Sequence, residues 1–198
     1  MSFDIVSFAM GKASGGGGGG GGGTLSEEWD FTSATPLVGI KRGITLTQKN
    51  VTFDANGAAF ASTQSWIDLG SVGGGNMFLP TVAIEAKVKS MDLTSSDHRR
   101  FVMGTTDSGL IYRSTGAWGF YSNGWGWDEF SETDGGLFSN SVIKAVIDDT
   151  NHWHIYKDDV LLWEPTRPLL ITNGYVGSTN QSINNVVIEW LKIEAVTA

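Results

Sequence analysis

The sequence predicts an all-β protein, a two-layer antiparallel sandwich over residues 24–198, preceded by an anchor peptide (residues 1–14) and a polyglycine tract (residues 15–23). Three observations predict it. From Thr24 onward apolar residues recur with a period of two, the spacing that sends successive side chains to opposite faces of a strand. Clusters of Gly, Asn, Asp and Ser punctuate these runs at short intervals. After Gly23 no stretch shows helical periodicity long enough for a packed helix.

The peptide before the glycines can place Phe3, Val6 or Ser7, and Met10 near one face of a short helix, with Ser2 able to cap it. So short a helix does not persist alone in water. Leaving Phe3, Ile5, Val6, Phe8 and Met10 exposed is costly, so these five are the candidate contacts to a partner. Gly15 to Gly23 is read as a flexible tether or as an extended element packed against copies of itself. The second option requires several chains meeting at their N-termini, for which a homotrimer is favoured.

Strands are expected at Ile44–Thr47, Val51–Phe53, Ala58–Ser62, Trp66–Leu69, Val82–Val88, Phe101–Met103, Leu110–Tyr112, Trp118–Tyr121, Val142–Ile147, His152–Tyr156, Val160–Trp163 and Val186–Val196. The clearest is Val82–Val88, with Val82, Ile84, Ala86 and Val88 on one face and Glu85 and Lys87 on the other. Turns fall at Asn56-Gly57, Asp107-Ser108-Gly109, Ser122-Asn123-Gly124, Asp134-Gly135-Gly136 and Asp148-Asp149-Thr150-Asn151. Residues 139–146 have room for one helical turn at most.

Composition narrows the function. Eight tryptophans, ten phenylalanines and four prolines describe a folded aromatic core. The absence of cysteine removes disulfides, thiol catalysis and thiolate metal sites. A net charge of -8 argues against nucleic acid and anionic membrane as partners, and the pairs Lys41-Arg42 and Arg99-Arg100 are too isolated to reverse that. No segment has the apolar length of a membrane span, and Met1 to Met10, with Asp4 inside it and no basic flank, does not read as a signal peptide.

The richest candidate surface is the aromatic cluster at residues 118–130. Trp118 and Phe120 share one face of a strand, Trp125 and Trp127 share one face of the next, and Ser122-Asn123-Gly124 turns between them. One pair fills the core. With Gly119, Gly124 and Gly126 leaving rings uncovered, the others either complete that core or form a platform for a sugar ring or a protein. Trp118, Tyr121, Asn123, Trp125, Trp127 and Asp128 are the candidate carbohydrate-binding residues. No metal site is specified; His152 and His154 share a face and would need a third ligand, from Asp149 or from Asp97 with His98. Asp148, Asp149, Asn151, Asp158 and Asp159 offer oxygen ligands in two neighbouring turns, a weak calcium candidate. No other cofactor is expected.

Two resemblances add to this. Trp29-Asp30-Phe31, the strand at Val82–Val88, the hairpin around His152 to Leu162 and the closing strand Val187 to Ile193 resemble the concanavalin A-like lectin/glucanase jelly roll in its laminin G-like form, with Asp159 where that family usually carries glycine. That likeness implies a jelly-roll sandwich whose last strand pairs back near the N-terminus, and loops that often hold calcium. Glucanases of this kind carry E-x-D-x-x-E or E-x-D-x-E; Asp128-Glu129-Phe130-Ser131-Glu132 does not meet either pattern, so a glycoside hydrolase is a minor alternative and no catalytic residue is assigned. Met1 to Lys12 with the glycine run is similar to the opening of small virion proteins of tailed bacteriophages. It implies a structural component of a phage particle, attached to capsid, neck or tail as a decoration or fibre protein, assembled in the host cytoplasm, bound to other virion proteins through residues 1–14 and displaying a lectin-like sandwich. The alternative is a carbohydrate-binding module of a host-receptor-binding apparatus, with a cell-surface glycan as ligand.

Overall fold

The computed structural model describes residues 26–60, 64–69, 81–93, 101–105, 108–113, 115–171, 174–178 and 185–195. The anchor residues Phe3, Ile5, Val6, Phe8 and Met10, the polyglycine tract, and Asp97, His98, Arg99 and Arg100 lie outside the described residues.

Fifteen antiparallel strands run through the described residues and form two sheets. The first contains β1 (Ser26–Asp30), β3 (Val51–Asp54), β4 (Gly57–Phe60), β6 (Val82–Met91), β11 (Val142–Ile147), β12 (Trp153–Lys157), β13 (Val160–Trp163) and β15 (Val186–Ala195). Its order is β13-β12-β11-β6-β15-β4-β3. One flank of β15 pairs along β6, and the other is shared end to end by β4 at Val186–Ile188 and β1 at Trp190–Glu194. The second sheet contains β2 (Thr47–Lys49), β5 (Trp66–Asp68), β7 (Phe101–Gly104), β8 (Gly109–Tyr112), β9 (Trp118–Ser122), β10 (Gly126–Glu129) and β14 (Tyr175–Gly177), in the order β10-β9-β8-β7-β14-β5-β2.

Alternation decides which side chains meet between the layers. Ile84, Ala86, Val88, Ile143, Ala145, Leu191 and Ile193 of the first sheet are buried with Phe101, Met103, Leu110, Phe120 and Val176 of the second. Each phenylalanine in that core stabilises the fold by roughly 1.5–3 kcal/mol relative to exposure. The opposite face of the first sheet is charged: Lys144 Nζ pairs with Glu85 Oε1 at 3.2 Å, and Lys192 Nζ donates to Glu194 Oε2 at 2.7 Å.

Three departures from the sequence expectation have local causes. Ile44 and Leu46 are buried as alternation requires, yet the strand begins only at Thr47, because the preceding backbone is occupied otherwise. Gly39 N–H donates to Ile44 O at 2.7 Å, and Ile44 N–H donates to a carboxylate of Glu27 at 3.3 Å. β14 has three residues, too few to show a period. At the β12–β13 hairpin, Asp158 and Asp159 both take left-handed backbone, φ 49° and 62°. Aspartate enters that region more readily than most residues, and Asp158 Oδ1 accepts Val142 N–H at 2.8 Å, so the tight turn closes without glycine.

Candidate functional site

Strands β9 and β10 form the outer hairpin of the second sheet, in the register Gly126–Ser122, Trp127–Tyr121, Asp128–Phe120 and Glu129–Gly119. Parity sorts the aromatics. Trp118 and Phe120 point into the core and are fully buried. Tyr121 and Trp127 face outward, half-buried, with ring centroids 4.9 Å apart.

Trp118 is therefore corrected from candidate ligand contact to core residue. Its ring is enclosed edge-on by Tyr112, Phe138 and Phe101, and its Nε1–H donates to Asp134 O at 2.9 Å. No face remains for a sugar.

Trp125 is different. Its N–H donates to Ser122 O at 3.0 Å, which closes a tight turn through Asn123 and Gly124. Left-handed glycines flank it, Gly124 at φ 90° and Gly126 at φ 88°. The strand begins only at Gly126, so Trp125 sits on the turn and does not share a strand face with Trp127 as expected. Its side chain is 63% exposed, a large apolar area to leave in water. Asn123 beside it is also exposed.

Trp127 is built into the sheet. The Arg113 guanidinium carbon lies 4.2 Å from the Trp127 ring centroid, and Arg113 Nη1 is bonded to Glu129 Oε1. The pair covers Gly119, where a Cβ would stand 3.4 Å from both the Trp127 ring and Arg113 Cδ.

A second loop, residues 164–168, is tied against the hairpin. Thr166 donates to Asp128 Oδ2 through its N–H and, at 2.8 Å, through its hydroxyl. Ser122 Oγ donates to Pro168 O at 2.7 Å. These contacts bring Arg167 beside the turn, with Nη1 3.8 Å from the Cβ position over Gly126. Arg167 is half-buried and has no hydrogen-bond or ion-pair partner among the described residues. The sequence carries no signal for Arg113, Thr166 or Arg167 here, and Asp128, a candidate carbohydrate contact, instead holds the neighbouring loop through Oδ2.

The other candidates disperse. Glu132 Oε1 accepts Asp134 N–H at 2.8 Å and Glu129 meets Arg113, so the carboxylates of residues 128–132 have separate partners. The proposed calcium ligands are not in neighbouring turns: residues 148–151 precede β12 and residues 158–159 follow it, roughly 16 Å apart along a five-residue strand. Asp148 is a turn cap. Burial pushes its carboxyl up, but hydrogen bonds from the Thr150 side chain, the His152 and Thr150 backbone and His154 outweigh this and lower it to about 2. His152 Nδ1 lies 2.9 Å from Thr150 Oγ1, while His154 lies between Glu164 Oε1 at 2.7 Å and Asp148 Oδ2 at 3.4 Å. Among the described residues no group of three or more His, Asp or Glu has the arrangement of a metal site.

No protein-family model matches the chain, and no curated protein matches it. Solved structures do. Trypanosoma rangeli sialidase in complex with 2,3-difluorosialic acid superposes with a TM-score of 0.62 at 14% identity, over 86% of this chain and 31% of that one. A T. rangeli sialidase mutant displaying trans-sialidase activity gives 0.61 at 12% identity. The ligand binding domain of botulinum neurotoxin serotype D, in complex with N-acetylneuraminic acid, gives 0.58 at 13% identity over 87% of this chain and 47% of that one. The chain thus spans under a third of the sialidases and about half of the toxin domain. At these identities the likeness is one of fold alone, a two-sheet antiparallel β-sandwich.

Proposed function

We propose that the sandwich is a carbohydrate-binding domain whose ligand stacks on Trp125 at the β9–β10 turn, with Asn123 at its rim and Tyr121 and Trp127 on the outer face beside it. The observation that carries this is the exposed Trp125 indole on a turn closed by its own backbone and pinned by the 164–168 loop. Indole presents a broad apolar face to the C–H face of a sugar, and a pre-ordered turn reduces the entropy lost on binding. Asp128, Glu129 and Glu132 are each engaged separately, so these three do not form the facing carboxyl pair that most glycoside hydrolases use. Likeness of fold to proteins solved with sialic-acid compounds supports the reading.

A glycan array probed with the full chain tests it. The wild type is expected to bind a defined subset of glycans, and Trp125→Ala to lose at least tenfold in affinity while melting at the same temperature. Absence of any glycan binding, or an unaffected Trp125→Ala, would sink the proposal.

A second, compatible reading rests on residues 1–23, whose apolar peptide and nine glycines favour a chain that is attached to something larger. In this reading the sandwich is displayed on a phage particle and residues 1–14 dock on another virion protein. Deleting residues 1–23 is expected to abolish incorporation into particles and leave the melting of the sandwich unchanged. Full incorporation of the truncated protein would overturn it.

A further inference from the structure

We infer that the glycan taken at this turn is an anionic sugar, and that Arg167 grips its carboxylate. The inference rests on the carbohydrate-binding reading above and adds the charge of the ligand.

Arg167 differs in its surroundings from three other half-buried cations, although Lys157 shares its lack of a partner among the described residues. Acidic residues outnumber basic ones 21 to 13, and Arg113, Lys144 and Lys192 each rest on a carboxylate. Arg167 is half-buried and meets none among the described residues. Partial desolvation of a guanidinium without a counter-charge is unfavourable, and here it is held in place: the residues on either side of it are bonded to the hairpin through Thr166–Asp128 and Pro168–Ser122.

The surroundings fit a ligand that spans an aromatic ring and a cation. Gly126 follows Trp125 in the chain, and the nearest atom to the space a side chain would occupy on it is Arg167 Nη1, at 3.8 Å. A pyranose resting on the Trp125 indole can therefore extend a substituent toward Arg167 across bare backbone. A planar carboxylate matches the guanidinium fork with two parallel N–H donors. The neighbouring Asp128 carboxylate disfavours a doubly charged phosphate, since a single cation would have to offset it. A carboxylated sugar, sialic or uronic acid, and a sulfated sugar share the remaining monoanionic chemistry, and the titration below separates them.

Isothermal titration of the full chain with 3′-sialyllactose, its methyl ester, a glucuronate-containing tetrasaccharide, 6-sulfolactose and lactose tests this. Expected is binding of at least one carboxylated probe about tenfold or more tighter than lactose, a difference that Arg167→Met removes and Arg167→Lys only partly keeps. Where sialyllactose is the ligand, its methyl ester binds the wild type no better than lactose, which tests the carboxylate without any variant. Equal binding of lactose and the carboxylated probes, or unchanged binding by Arg167→Met, overturns the inference and leaves the carbohydrate reading standing. Preference for 6-sulfolactose overturns the carboxylate assignment. Failure of every sugar here and on the array removes both.

Discussion

The Arg113 guanidinium carbon lies 4.2 Å from the centre of the Trp127 ring while its Nη1 is bonded to Glu129, two residues further along the same strand. Arg113 thus clamps the outermost strand of the second sheet from its outer face. Glu129 is 74% exposed, so the ion pair itself contributes little and the cation–ring contact dominates. Arg113→Ala and Trp127→Ala are each expected to lower unfolding free energy by about 1 kcal/mol in urea titrations, against under about 0.5 kcal/mol for Trp125→Ala. Equal losses for Trp125 and Trp127 would contradict the division between a free ring and a built-in one.

Glu27 and Gly39 form a second such dependence. Glu27 is fully buried, and its carboxylate accepts backbone N–H groups of Lys41 (2.8 Å), Arg42 (2.8 Å), Glu28 (3.1 Å) and Ile44 (3.3 Å). A Cβ on Gly39 would stand 2.3 Å from the Glu27 carboxyl carbon. Gly39→Ala is expected to cost about 2–4 kcal/mol. Glu27→Gln keeps the volume but turns an NH₂ toward N–H donors, with an expected cost of roughly 2 kcal/mol or more. Denaturant midpoints of the two variants check this.

Stability should fall in acid through Asp148. Its carboxyl titrates at about 2 in the folded protein against an ordinary 3.8, so the folded state favours the ionised form. The contribution is complete above about pH 5 and is lost as the pH falls through about 2, where both states are protonated. The side chain is 33% exposed, and screening holds the effect to about 1 kcal/mol or less. Asp148→Asn should flatten the slope of melting temperature between pH 5 and 2; an unchanged slope would show that other carboxylates carry it.

Asp128 positions Arg167 through Thr166. Asp128→Ala is expected to weaken binding of a carboxylated glycan about three- to tenfold by releasing the 164–168 loop, at a stability cost of about 1 kcal/mol. Titration calorimetry at a temperature well below the melting point separates the two effects. Tighter binding in Asp128→Ala would mean that removing its negative charge outweighs the loss of loop order.

Much of the fold is legible because burial follows period two. Val142–Ile147 and Val160–Trp163 have the bounds the alternation predicts, and Trp29 to Asp30 pairs with the last strand as the jelly-roll resemblance implies. β1 itself was less visible. It carries Glu27 at an inward position, and a buried carboxylate looks like a surface residue until the N–H groups of residues 41–44 are brought to it. Likewise Trp118 and Trp125 look alike in composition; one has the parity of Phe120 and is enclosed, the other falls on a turn.

By itself the sequence determined the class of fold and the aromatic hairpin, because these depend on local spacing. Only the tertiary structure decided which rings are free and which cation stands beside them. Asp128 meets Thr166 and Ser122 meets Pro168 across 38 and 46 residues of chain. Contacts of that range are set by how two sheets pack and where a connecting loop returns, and no periodicity in the intervening residues encodes the distance.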